Sequence, residues 1–153
     1  MKASIFALTL LFVATSASAL DPVVKDLCEQ TVKNYAHFSD TGQREKFSAL
    51  FTHDGVLVTS GNRRFPAQVI TEADRRPRTS NHVISNIIVR EEDGKLTGTS
   101  YFTLYFSSEV SESALPISGQ PTSVGVYHDT YVIEDGVCKF KERIAKASFS
   151  GRG

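Results

Sequence analysis

The chain has 153 residues, 41% of them hydrophobic and 22% charged, with 17 basic side chains against 17 acidic ones. That balance excludes the strongly basic surface on which nucleic-acid binding usually rests, so no nucleic-acid partner is expected. Cys28 and Cys138 are the only cysteines, too far apart in sequence to make a metal site, and no metal is expected.

The first nineteen residues, MKASIFALTLLFVATSASA, carry one lysine, an apolar run from Ile5 to Ala14, and small residues at Ala17 and Ala19. This is the pattern of a secretory signal peptide over residues 1–19, cleaved after Ala19, in a secreted or periplasmic protein. The apolar run falls short of the roughly 20 residues that span a bilayer, and no later stretch approaches that length, so no membrane span is expected. Residues 20–153 then form one domain with one core, and loss of Lys2 leaves 16 basic side chains against 17 acidic. In an oxidising compartment the two cysteines permit one connectivity, a Cys28–Cys138 bridge. The alternative is two buried thiols acting as small hydrophobes.

Over residues 22–38 the apolar positions Val24, Leu27, Cys28, Val32, Tyr35 and Phe38 recur at helical spacing, with Asp21 as N-cap and Pro22 in the first turn. A break at 39–42 (SDTG) is followed by a shorter helix through Phe47, Leu50 and Phe51. Residues 52–55 (THDG) read as a turn, VLVTS after it as a short strand, and residues 67–75 as a third helix stopped by Pro77.

From Ser80 the pattern changes to long β-runs: NHVISNIIVRE, LTGTSYFTLYFSS, TSVGVYHDTYVIE and VCKFKERIAKASF. Asp-Gly pairs inside EDGK and at Asp135-Gly136 mark tight hairpins between alternating runs, while residues 109–121 read as a loop. The order predicts an α+β domain. N-terminal helices pack on a strongly curved antiparallel or mixed sheet, forming a cone with an internal cavity. Tyr101, Thr103 and Tyr105 alternate with Phe102, Leu104 and Phe106, and periodicity does not say which set faces that cavity.

There is no Gly-rich phosphate loop, zinc-binding helix motif or nucleophile elbow, so no cofactor is expected. What could carry chemistry is a scattered set: Tyr35, His37, Asp40, Asp54, His82, Asn86, His128, Asp129 and Arg143. Asp40 ends the first helix where the chain turns, and His82 opens the first long strand. A carboxylate bonded to one imidazole nitrogen fixes the tautomer and makes the other nitrogen a better base. The same two residues can also be a helix-end cap and a satisfied core histidine. His128 and Asp129 are adjacent on a strand, so only one of them can face a cavity. Asp54 reads as a turn cap and Asn86 as a backbone or pocket-rim partner, and His37 and His53 receive no role.

The segments YAHFSDTGQREKFSALFTHDGV, PRTSNHVISNIIV and GVYHDTYVIEDGVCKFKERIAKASF together resemble the SnoaL-like branch of the nuclear transport factor 2-like, cone-fold superfamily. The pattern is a helix with Y-x4-D, LF-x-x-D at the first strand, H-x-x-x-N opening a long strand, and Y-x-D-x-Y-x-x-x-D-G before a last strand with an arginine. The nearest functional comparison is the scytalone dehydratase and dehydrochlorinase group. It implies a cofactor-free lyase or isomerase acting on a small, mostly apolar molecule. His82 would be the general base, Asp40 its partner, Tyr35 the group polarising a substrate oxygen, and Arg143 a cation near developing negative charge. A homodimer is expected from the same resemblance. The alternative function is a non-catalytic secreted domain that binds a small hydrophobic ligand.

Overall fold

The computed structural model describes residues 19–68, 78–108 and 120–151. The predicted signal peptide up to Ser18, residues 69–77 of the predicted third helix and its stop, and residues 109–119 of the predicted loop lie outside the described residues. Ala67 and Gln68, where that helix was expected to start, belong to a turn.

Helix α1 (Pro22–Asp40) begins as its sequence requires. The Asp21 carboxylate accepts from the Val23 amide at 2.8 Å, and Pro22 occupies the first turn, where its missing N–H costs nothing. Its buried face carries Cys28, Val32, Tyr35 and Ala36. Thr41 closes it, donating its N–H to the His37 carbonyl, and Gly42 follows at φ +70°. Helix α2 (Arg44–Ala49) is shorter than the apolar spacing suggested: Leu50 caps it, and Phe51 already opens a strand.

Six strands follow among the described residues: β1 (Phe51–Thr59), β2 (Asn62–Arg64), β3 (Thr79–Glu92), β4 (Lys95–Ser107), β5 (Ser123–Glu134) and β6 (Val137–Ser150). They form one sheet in the order β2-β1-β6-β5-β4-β3, antiparallel except for the parallel β1–β6 pair, so the sheet is mixed, as well as curved and unclosed. Asp93-Gly94 and Asp135-Gly136 all have positive φ, the backbone a two-residue hairpin with native twist demands. A third hairpin, Ser60-Gly61 between β1 and β2, uses the same geometry; with serine in the first place it carries a weaker signal in sequence.

The expected turn at 52–55 lies inside β1. The ladder with β6 breaks there, passing from Phe51↔Phe140 to Val56↔Glu142, so three more residues are spent on β1 than on β6. Turn-forming residues make a bulge rather than a reversal. Gly55 is required at it, because a Cβ would stand 2.7 Å from the Phe140 carbonyl oxygen and 2.9 Å from that of Thr52.

A second bulge resets β3. Between Ser85 and Ile88 its pairing with β4 shifts, and Asn86 takes φ +49°, a left-handed conformation that asparagine tolerates. Before the bulge His82 and Ile84 point inward; after it Ile87 and Val89 do. Asn86 itself is exposed and does not line the cavity, so of its two expected roles it does not take the one at the pocket rim.

The core lies between α1 and the concave face of the sheet, around Val32, Tyr35, Phe51, Leu57, Tyr127 and Phe140. Cys28 and Cys138 form a disulfide with Cα atoms 5.1 Å apart, so the bridge and not the thiol alternative holds. Beside it the Thr31 hydroxyl donates to the Cys138 carbonyl at 2.7 Å, and the two links tie α1 to β6. On β4, Phe102 is buried and faces inward with Leu104 and Phe106, whereas Tyr101 and Tyr105 are exposed on the outer face.

Candidate active site

The end of α1 meets the start of β3 at a single carboxylate. Asp40 Oδ1 lies 2.6 Å from His82 Nδ1 and accepts from the Ser80 hydroxyl at 2.9 Å; Oδ2 accepts from the His82 backbone N–H at 2.7 Å. Ser80 and His82 alternate onto one face of β3, which is why one aspartate reaches both. Burial by itself would raise the Asp40 carboxyl. The hydrogen bonds from the His82 ring and backbone, the attraction of that ring and the Ser80 hydrogen bond outweigh it and hold the carboxyl below its ordinary value. The group is therefore a carboxylate, and His82 Nδ1–H is the donor. Among the described residues Nε2 is left as the unpaired ring nitrogen. The His82 side chain is 8% exposed and Asp40 19%.

His82 lines a cavity of about 490 Å³ between α1, α2 and the concave face, a size suited to a small organic ligand. Its apolar wall is Phe47, Phe102, Leu104, Phe106, Ala145 and Ala147; its polar lining includes Tyr35, Tyr127, Ser80, Arg64 and Arg78. The Tyr35 and His82 rings meet edge to face with centroids 6.0 Å apart, and Tyr35 and Tyr127 at 5.6 Å. Burial raises the Tyr35 hydroxyl above its ordinary value, although the Arg143 and Arg64 charges and a hydrogen bond with Tyr127 pull it back. Burial raises Tyr127 further. Both are protonated donors at neutral pH, not bases.

Arg143 stands behind this wall and not on it. It is fully buried. Its Nε and Nη2 donate to Asp129 Oδ1 and Oδ2 at 2.8 and 2.7 Å, and Tyr131 donates to Oδ2 at 2.9 Å. Burial opposes its charge, but the Asp129 carboxylate and its hydrogen bonds more than reverse that, leaving the guanidinium more firmly protonated than usual. Nη1 has no hydrogen-bond partner among the described residues. The guanidinium instead packs on three aromatic rings, with Cζ 4.2 Å from the Tyr35 centroid, 4.3 Å from Tyr127 and 4.1 Å from Phe140. Held this way, Arg143 is not part of the cavity lining but lies directly behind two of its tyrosines, Tyr35 and Tyr127.

Of the four expected site residues, Tyr35 and His82 line the cavity, Asp40 bonds His82 from beside it, and Arg143 packs against Tyr35 from behind. Of the His128–Asp129 pair, Asp129 faces inward, to Arg143, while His128 is exposed. His37 and His53 are exposed, and Asp54 bonds Thr52 and Lys141 at the surface. Sequence reasoning missed Tyr127, Ser80, Arg64 and Arg78. Strand alternation contained the signal for two of them, since Ser80 shares a face with His82 and Tyr127 shares one with Asp129. Among the described residues no cluster of three or more His, Cys, Asp or Glu could hold a metal ion, and no helix is long and apolar enough to cross a membrane.

No curated protein matches the chain. Solved structures resemble it in fold. A Mycobacterium tuberculosis protein of unknown function is 19% identical over 86% of this chain and 78% of its own, with a TM-score of 0.66. A candidate scytalone dehydratase from Novosphingobium aromaticivorans is 20% identical, covering 81% and 83%, with a TM-score of 0.63. LinA is 16% identical, covering 82% and 86%, with a TM-score of 0.64. The SnoaL-like domain family matches residues 25–144, a span that holds most of α1, all of α2, the Asp40–His82 pair and Arg143, and the chain belongs to that family.

Proposed function

We propose that the protein is a cofactor-free lyase or isomerase whose Asp40–His82 dyad works as a general base on a small, mostly apolar molecule. The observation that carries this reading is the 2.6 Å contact between His82 Nδ1 and Asp40 Oδ1, made by a histidine that lines a cavity of about 490 Å³. With Nδ1–H given to the carboxylate, neutral His82 offers the Nε2 lone pair to a C–H beside an electron-withdrawing group. Asp40 then stabilises the imidazolium that forms. Tyr35, kept protonated by burial, donates to the developing oxyanion or the leaving oxygen, with Tyr127 behind it. Arg143 is a positioning residue, holding both rings by their faces. In an elimination the electron pair released by deprotonation forms the double bond and expels the β-substituent. In an isomerisation His82 returns the proton to a different carbon. A positioned base contributes about 10²–10⁴-fold in rate.

The similarity in fold to a candidate scytalone dehydratase and to LinA supports the reaction class. The disulfide, compatible with an oxidising compartment, supports a secreted or periplasmic location and so the signal peptide over residues 1–19. The outer face of the sheet supports a homodimer, since Val83, Ile88 and Tyr101 lie together on it and are 53%, 40% and 51% exposed.

Deuterium exchange from D2O into the carbon next to the carbonyl of 2-tetralone, followed by proton NMR, tests for the base without requiring the right leaving group. Exchange should exceed buffer and fall by about 10²–10⁴-fold in His82→Gln. Equal rates in the two proteins, with 2-tetralone still bound, would leave the non-catalytic binding domain as the surviving reading.

A further inference from the structure

The face of the sheet turned away from the cavity carries its side chains in a definite order. The β3–β4, β4–β5 and β5–β6 ladders align outward-facing residues into rows that cross four strands. One row reads Arg90, Thr97, Thr130, Glu142, and the next Ile88, Thr99, His128, Ile144. Together they line a shallow hollow of about 300 Å³. Past the bulge in β3 the face continues with the row Val83, Thr103, Val124, Phe149, where Val83 is 53% and Phe149 73% exposed. At ordinary strand spacings this surface is roughly 20 Å by 25 Å, a footprint suited to a standard interface of about 800 Å² per partner.

Each row is its own complement. Let a second copy be turned by a half-turn about an axis running along the strands, between β4 and β5. Strand β3 then lies over the partner's β6, and β4 over the partner's β5. Arg90 faces the partner's Glu142, and Glu142 faces the partner's Arg90. In the other rows Ile88 meets the partner's Ile144 and Val83 the partner's Phe149. Cation is set against carboxylate and apolar against apolar at both edges of the same face, the self-complementarity a two-fold interface requires. An axis across the strands lays β3 over the partner's β3, and Arg90 never reaches the partner's Glu142. Within its own chain Glu142 meets Arg63 at 3.6 Å, a long and partly exposed pair of the kind worth little by itself.

We infer that two copies of this chain pair sheet on sheet about that axis, with Arg90–Glu142 contacts at both edges. This rests on the homodimer proposed above and gives it a geometry. Because the cavity lies on the concave side, each Asp40–His82 pair stays complete within one chain and the two cavities open away from each other.

The test is a pair of charge reversals read by sedimentation velocity over a dilution series, with circular dichroism to confirm folding. The unaltered protein should sediment as a dimer. Arg90→Glu and Glu142→Arg each set like charges against one another at both edges, and each should weaken the dimer by about tenfold or more, less so in high salt. Mixed in equal amounts, the two variants should recover dimerisation as a heterodimer, since every facing pair is again a cation and a carboxylate. Native mass spectrometry tells that species from either homodimer by mass. An unaltered protein that stays monomeric removes the homodimer and this geometry together. A dimer indifferent to both reversals, or two weakened variants that do not recover on mixing, leaves a homodimer and overturns the axis. Should Glu142→Arg not fold beside Arg63, Arg90→Gln and Arg90→Glu decide: progressive weakening in that order supports the axis, and indifference to both overturns it.

Discussion

Replacing Asp40 by asparagine keeps the shape of the dyad and changes only its donor pattern, so the outcome follows from the hydrogen bonds. Both carboxylate oxygens face donors: Oδ1 meets His82 Nδ1–H and the Ser80 hydroxyl, and Oδ2 meets the His82 backbone N–H. An amide has one oxygen to offer. If its NH2 replaces Oδ2, the His82 backbone N–H loses its acceptor, at about 1–3 kcal/mol for a buried donor left unsatisfied. If its NH2 replaces Oδ1, the Ser80 hydroxyl turns to accept, Nδ1 accepts, and the proton moves to Nε2. The second arrangement keeps every group paired and is the cheaper one. Asp40→Asn should therefore cost about 1 kcal/mol of stability while converting His82 to the tautomer with Nε2–H, which has no lone pair for the substrate. Two-dimensional 15N NMR of the His82 ring reads the tautomer directly, and urea denaturation reads the stability. In the deuterium-exchange assay the rate should fall by about 10²–10⁴-fold, as for a base held in the wrong tautomer. An unchanged ring spectrum in Asp40→Asn, with exchange intact, would refute the idea that this carboxylate sets the state of His82.

Acid should act through the same carboxylate. Asp40 binds its proton less readily in the folded chain than the ordinary value of 3.8, so its stabilisation is complete above that pH and is lost as pH falls through the lower folded value. The stability gap between the unaltered protein and Asp40→Asn, measured by urea denaturation, should accordingly narrow below about pH 4. Replacing both Cys28 and Cys138 by alanine opens a loop whose ends are 110 residues apart and should cost roughly 3–5 kcal/mol in the same assay. Arg143→Met strands Asp129 without a counter-ion in a fully buried site and should cost about 3–5 kcal/mol, much of it regained when Asp129→Leu is added, because the two apolar side chains remove both charges. A double variant no more stable than Arg143→Met alone would show that Asp129 is not the group left wanting.

Local rules made much of the chain legible. Asp21 and Pro22 start α1 by satisfying or removing the amides that a helix N-terminus leaves open. Asp93-Gly94 and Asp135-Gly136 set two hairpins because only such residues readily take positive φ in succession. Alternation along β3 and β5 put Ser80 with His82 and Tyr127 with Asp129, whichever way the strands faced. Tertiary contacts decided the rest. The parallel β1–β6 pair joins segments from opposite ends of the fold, and THDG became a bulge because β6 supplied a ladder to keep β1 extended. Nothing local in SNIIV says that Asn86 will absorb a phase shift so that Ile87 and Val89 face inward. For the site, residue types offered Asp40 and His82 as a pair and the resemblance gave them their roles, but their 2.6 Å contact exists only because α1 ends where β3 begins. Arg143 shows the limit most clearly. Its sequence position could not reveal a buried carboxylate on the neighbouring strand, and only packing shows that the cation pairs with Asp129 and lies behind two tyrosines.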